Sequence, residues 1–385
     1  MARHVDYGEI AGLVSLVWRR GEVHVDAIGN RTRGRDQPVG RDTIFRIASM
    51  SKPVTAVAAL VLVEDGVLRL DDPVDELLPE LVDRRVLRSL ESPLDDTEPA
   101  KRSITLRDLL TFRFGFGIVM APPDAYPITR ALAELQIGSG PPHPNAVVAP
   151  DEWMRQFGSL PLLHQPGERW MYNTGSDVLS VLIARAAAQP FEVFLRERIF
   201  EPLGMHDTAF FVPPKKRDRF VTAYSTNPVS CATEVYDEID GEWARAPAFP
   251  SGAGGLVSTV DDYLAFARML LTNGRNSGAR LLSRPTIETM TTDHLTPNQK
   301  AASGLVDGFF DDNGWGFGVS IVTRRVDIPY AVGSYGWNGG LGTVWTNDPR
   351  EEMITMLLTQ EAWTSPAFPP VVRDFATAAY TAIDD

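Results

Sequence analysis

Short β-rich runs stand at the two ends of this chain and helical segments fill the middle, and that distribution restricts the fold more than any single motif. Residues 12–18 and 22–28 are rich in Val, Ile, Leu and Trp, and Arg19-Arg20-Gly21 joins them as a hairpin turn would. Comparable runs return only near the other end, at 317–323, 341–346 and 353–358, ahead of a helical stretch over 370–383. Between them, 106–110, 151–157, 176–188, 191–200 and 260–271 carry helical patterns broken by Pro- and Gly-rich loops. The spacing therefore predicts an α/β protein of the α+β type: one antiparallel sheet built from both termini and flanked by helices. On this reading residues 1–66 and 252–385 form the sheet domain and 67–251 a mainly helical inserted domain, with the active site at their interface. A chain of 385 residues is long enough for both. Residues 121–150 are loop-rich, as a lid or specificity loop would be.

Ser49 and Lys52, in Phe45-Arg46-Ile47-Ala48-Ser49-Met50-Ser51-Lys52-Pro53, open a helical stretch that runs to about Asp65 and ends at Gly66. Three residues apart on a first turn, their Cβ atoms would lie roughly 5–6 Å from each other. A serine hydroxyl becomes a useful nucleophile once a neighbour takes its proton, and an amine can do so. The pair alone weighs little. Five lysines and twenty serines yield about 0.26 such pairs by chance, and taken alone a helix-capping serine followed by a solvated lysine is the better reading.

Two further clusters supply what that chemistry needs. In Pro166-Gly167-Glu168-Arg169-Trp170-Met171-Tyr172-Asn173-Thr174-Gly175-Ser176-Asp177, a tyrosine sits in a tight loop just before a helix. A phenol ionises near pH ~10, and an adjacent ammonium lowers that value. Tyr172 beside Ser49 and Lys52 would then be partly phenolate and would shuttle the serine proton. The competing reading is a half-buried loop aromatic anchored by its hydroxyl. In Tyr335-Gly336-Trp337-Asn338-Gly339-Gly340-Leu341-Gly342-Thr343-Val344-Trp345, glycines ahead of a strand let a ligand approach backbone N–H groups, as an oxyanion hole requires. A Gly-rich hairpin connection fits equally well.

Composition excludes several functions. A net charge of −13 argues against nucleic acid and anionic lipid as partners. One cysteine, Cys231, allows no internal disulfide, and six scattered histidines offer no metal-ligand spacing, so neither a metal nor a cofactor is expected. No apolar run reaches membrane-spanning length. The residues from Met1 to Tyr7 lack the apolar core of a signal peptide, so the expected location is the cytoplasm. The absence of G-x-S-x-G disfavours an α/β-hydrolase elbow. Nothing in the sequence sets the oligomeric state.

The order S-x-x-K, tyrosine in a tight loop, then a Gly-rich strand entry resembles the serine β-lactamase and penicillin-binding-protein superfamily. Within it, the class C β-lactamase-like branch that includes family VIII carboxylesterases is the most similar. The likeness covers most of the chain. It extends to Gly66-Val67-Leu68-Arg69-Leu70-Asp71-Asp72-Pro73-Val74, Ile104-Thr105-Leu106-Arg107-Asp108-Leu109-Leu110-Thr111, Ile199-Phe200-Glu201-Pro202-Leu203-Gly204-Met205 and Gly254-Gly255-Leu256-Val257-Ser258-Thr259. The resemblance implies Ser49 as acyl-accepting nucleophile, Lys52 as its activator and Tyr172 as general base and later acid. It implies an oxyanion hole from the N–H groups of Ser49 and Gly340, and substrate contacts from Trp337, Asn338, Gly339, Asn173, Thr174, Phe112 and Phe114.

Three departures bear on the substrate. The family's Y-x-N is Tyr172-Asn173-Thr174 here, with the asparagine one place early. Trp337 stands where a lysine or histidine would meet a substrate carboxylate, and Phe112-Arg113-Phe114-Gly115 stands where H-T-S-G is common. These losses favour an ester of a small, less anionic molecule. The alternatives are a β-lactamase, a D,D-peptidase or other amidohydrolase, or an acyltransferase with the same mechanism. A non-catalytic binding protein of this fold is the remaining class.

Overall fold

The computed structural model describes residues 1–137, 142–276 and 279–384. Its main sheet has seven antiparallel strands. In spatial order they are Asn313–Trp315, Ser320–Val322, Tyr335–Gly339, Thr343–Asp348, Met353–Thr359, Gly12–Arg19 and Glu22–Gly29. The two ends of the chain meet within the sheet, where Leu16 lies opposite Met356. The first hairpin turns on Arg20 (φ 45°) and Gly21 (φ 96°), both in the left-handed region that suits the twist of a two-residue β-turn.

Alternation along the strands buries both sheet faces. Leu13, Val344 and Leu357 pack on Val371, Val372 and Phe375 of the Pro370–Thr381 helix. Val14, Leu16, Ile354 and Met356 belong to the large core that includes the Val260–Leu271 and Ser51–Glu64 helices. The Ser51–Glu64 helix is buried along Ser51–Leu62 and packs on the Thr174–Ala187 helix. A helix with no polar face belongs in the centre of a protein, and its N-terminus carries Ser49 and Lys52 to the sheet edge of the core.

The antiparallel sheet from both termini is therefore observed, as are the helices Leu106–Leu110 and Val260–Leu271 at the expected bounds. Two expectations differ. Residues 335–339 form a strand, paired along its length with Thr343–Asp348 and at Tyr335 and Gly336 also with Ser320–Val322, where the glycine density suggested a loop ahead of a strand. In 121–150, Pro127–Glu134 is a helix, Pro127 standing in the first turn where its missing N–H costs nothing. Residues 138–141 of that segment lie outside the described residues. Among the described residues no single helix is long and apolar enough to cross a membrane.

Candidate active site

Ser49 lies in the 3₁₀ turn Ala48–Met50 that leads into the Ser51–Glu64 helix, just ahead of the α-helical first turn where spacing had put it. The turn is gripped from several sides. Ser51 Oγ donates to the Ala48 carbonyl at 2.7 Å and accepts from Leu256 N–H at 3.1 Å. Thr343 Oγ1 donates to the Ile47 carbonyl at 3.2 Å, and Tyr263 OH to the Met50 carbonyl at 2.9 Å. Ala48 is held at φ 43°, a conformation that costs a non-glycine residue ~1–3 kcal/mol and persists only where the surroundings enforce it. Gly339 matters here for a steric reason. A Cβ on it would sit 2.3 Å from the Ile47 carbonyl oxygen, so only glycine lets this strand press against the nucleophile's turn.

Lys52 is 1% exposed. Its Nζ is 2.8 Å from Ser49 Oγ and 2.6 Å from the Ala253 carbonyl oxygen, and it lies 4.5 Å from the centre of the Tyr172 ring. Burial lowers its pKa from 10.5 to about 7, while the Asp177 carboxylate pulls the other way. At a pH of about 7.5 an amine of that pKa is mostly neutral, whereas an ordinary lysine is neutral about once in a thousand molecules. The neutral amine has a lone pair for the serine proton.

Tyr172 is brought into the same cluster by backbone clamps on its loop. Met171 N–H donates to the Phe112 carbonyl at 2.8 Å, and Ile118 N–H to the Tyr172 carbonyl at 2.9 Å. A Cβ on Gly117 would lie 2.6 Å from that same Tyr172 oxygen, so the close approach needs glycine. The phenol lines the same cavity as Ser49, whose hydroxyl favours its ionised form, and accepts from Trp337 Nε1 at 2.8 Å. Part of Tyr172 is open to solvent, yet desolvation outweighs these bonds and pushes its pKa well above the ordinary value. This corrects the expectation of a phenolate: Lys52 loses its charge instead of lowering the phenol, so Tyr172 stays a neutral O–H.

Asp177, present in the sequence motif without an expected role, belongs to this network. It accepts from Ser251 Oγ at 2.6 Å and from Ala253 N–H at 3.3 Å. Lys52 holds the carbonyl of that same Ala253, so acid and amine grip one residue from two sides. Burial pushes the Asp177 pKa up. The available signal was a carboxylate in the first turn of a helix whose other residues from Thr174 to Ile183 are buried.

A cavity of ≈ 610 Å³ opens over Ser49. Tyr172, Trp337, Asn338 and Gly340 line it, as their motifs imply. The Gly340 N–H has no protein acceptor among the described residues. Other expected contacts fall elsewhere. Gly339 packs under Ile47 rather than on the cavity. Phe114 is fully buried against Phe157 in the main core, because its loop turns that ring inward. Phe112, at φ 55°, is equally buried and supports the Tyr172 ring edge-on at 6.0 Å without reaching the cavity. Asn173 (φ 86°) and Thr174 start the following helix and do not line the cavity either, since that backbone turn carries them away from it. Of the described residues of 121–150, where a lid was expected, none lines it. Loop residues 305–309, Asp312 and Asn313, together with Trp363–Phe368 and with Ile118 and Met120, wall the cavity. The described residues hold no cluster that could bind a metal ion.

A family model described as Beta-lactamase matches residues 1–370. The chain belongs to the beta-lactamase family. Among its relatives, Protein Rv1367c of Mycobacterium tuberculosis is 38% identical over 365 residues, spanning 92% of this chain and 87% of the relative. A lovastatin esterase of Penicillium rubens is 30% identical over 370 residues, spanning 91% and 88%. Of solved structures, EstCE1, a hydrolase with promiscuous acyltransferase activity, superposes with a TM-score of 0.79 at 26% identity, over 97% of this chain and 96% of that one. For a beta-lactamase family member, the Ser49–Lys52–Tyr172 cluster has the composition of a serine acyl-enzyme site.

Proposed function

We propose that this protein is a serine carboxylesterase that forms an acyl-enzyme on Ser49. What carries the reading is the 2.8 Å contact between Ser49 Oγ and a lysine amine that burial renders neutral near pH 7. Lys52 takes the hydroxyl proton as Oγ bonds to the ester carbonyl carbon. The N–H groups of Ser49 and Gly340 receive the developing oxyanion. Trp337 occupies the phenol oxygen of Tyr172 as a donor, which leaves the phenol proton free for the leaving alkoxide as the C–O bond breaks. Lys52 then returns a proton to Tyr172, and water repeats the sequence to release the acid and free Ser49. The sum is ester plus water to acid plus alcohol.

Kinship with a lovastatin esterase and the apolar, aromatic cavity support an ester over a lactam or peptide. Acyl transfer to an alcohol is the second reading, favoured by the promiscuous acyltransferase activity of the hydrolase EstCE1. It needs the same acyl-enzyme and differs only in what attacks it. The test is turnover of p-nitrophenyl butyrate and nitrocefin, with 1-butanol added as competing acceptor. Ester hydrolysis without nitrocefin turnover is expected. Inactivity on all short esters, with nitrocefin cleaved, would contradict the reading.

A further inference from the structure

The wall of the Ser49 cavity has an uneven charge. Its lining includes two carboxylates, Asp307 and Asp312, and no lysine, arginine or histidine among the described residues. The Asp312 carboxylate accepts from the neighbouring Asn313 side chain at 3.1 Å, and neither acid has a cationic partner within ion-pairing distance among the described residues. The rest of the wall is rich in rings, which form two right-angled corners. Phe309 meets Trp337 at 86° with centres 6.4 Å apart, and Trp363 meets Phe368 at 83° and 5.8 Å. Asp307 lies two residues from Phe309 on the same loop. Lys52, behind Ser49, is the cation nearest the reaction, and above pH 7 it carries little charge.

Aromatic faces attract a cation through their quadrupoles, and carboxylates attract it over a longer range. A substrate carboxylate meets repulsion from both. A purely apolar ligand gains from the rings and nothing from the acids. We propose that this cavity selects esters bearing an ammonium group a few bonds from the scissile carbonyl, ahead of neutral esters of the same shape and far ahead of carboxylate-bearing ones. The proposal rests on the esterase reading above and names its substrate class.

The test is kcat/KM at a pH of about 8 for three butyrate esters: butyrylcholine, its uncharged isostere 3,3-dimethylbutyl butyrate, and the butyrate ester of 3-hydroxypropanoate. At low ionic strength the choline ester should exceed the isostere by about 5-fold and the anionic ester should fall about 5-fold below it. Raising salt to about 300 mM should shrink both ratios towards ~2, since partly exposed charges are screened over a few ångströms. The Asp307→Asn/Asp312→Asn double variant should likewise lower the cation-to-neutral ratio, to about 2 or less. A wild-type ratio of one or less overturns the proposal while leaving the esterase reading intact, and so does a ratio that ignores salt and the double substitution. If none of the three esters turns over, the esterase reading falls and this proposal with it. The salt series on the wild type decides the matter even if the double variant does not fold.

Discussion

Around Ser49 almost every polar group is held by a second one, whereas the loop wall over it, residues 305–309, 312–313 and 363–368, is held mainly by turns and ring packing. Lys52 touches Ser49, Ala253 and the Tyr172 ring; Ala253 in turn answers to Asp177; and Tyr172 answers to Trp337. The wall exposes Val306 and Phe368 by 50% and 39% and carries its acids without cationic partners among the described residues. On the proposed reading, reactivity resides in a locked floor and substrate choice in a looser wall. Substitutions should therefore cost rate in the first region and change KM in the second.

Ser49→Ala should have the largest effect, a loss in kcat of ~10⁴-fold or more with an unchanged far-ultraviolet dichroism spectrum. A residual rate within tenfold of wild type would rule out Ser49 as the nucleophile. Lys52→Met should cost ~10³-fold in kcat/KM. It should also change stability in a defined direction. Between pH about 7 and 10.5 the unfolded chain binds a proton on Lys52 that the folded chain has lost, so wild-type stability rises with pH there relative to the variant. Denaturant unfolding at the two ends of that range measures the difference.

Trp337→Phe keeps a ring but removes the donor to Tyr172, and should lower kcat by about 5- to 10-fold. Asp177→Asn should show its effect in the pH profile. Because the carboxylate raises the Lys52 pKa, its removal should move the acid limb of kcat/KM to lower pH. A limb that stays in place would assign Asp177 a purely structural role. In the wall, Phe309→Ala should raise KM for aliphatic esters about 3-fold and leave kcat within about twofold.

Much of the scaffold was legible because it depends on local rules. Arg20-Gly21 supplies the two positive-φ positions of a tight hairpin, and Leu106–Leu110 carries a Thr105–Asp108 capping box. The 335–339 strand was not legible, since Gly339 serves close approach to Ile47, from a distant part of the chain, and Gly336 close approach to the Trp345 backbone. Of the candidate site, spacing and loop position only nominated Ser49, Lys52 and Tyr172, the resemblance along the chain selected them, and the structure puts Lys52 against both Ser49 and the Tyr172 ring. Spacing does not reveal the environment that sets protonation. Burial of Lys52 and of the Tyr172 phenol, the second working against the hydrogen bond from Trp337, decides which of the two gives up its ordinary state. Phe112 and Phe114 illustrate the same limit: their positions in the sequence were those of a cavity edge, yet the backbone turned both rings into the core.

The central claim is that a neutral Lys52, not a Tyr172 phenolate, activates Ser49. The direct measurement is the rate constant for covalent inactivation by a fluorophosphonate between pH about 5.5 and 10.5, with the labelled peptide mapped to Ser49. A single rise centred near pH 7 that levels off by about pH 8.5 is expected. A rate that keeps climbing to a midpoint near ~10, where an ordinary phenol or amine ionises, would contradict it.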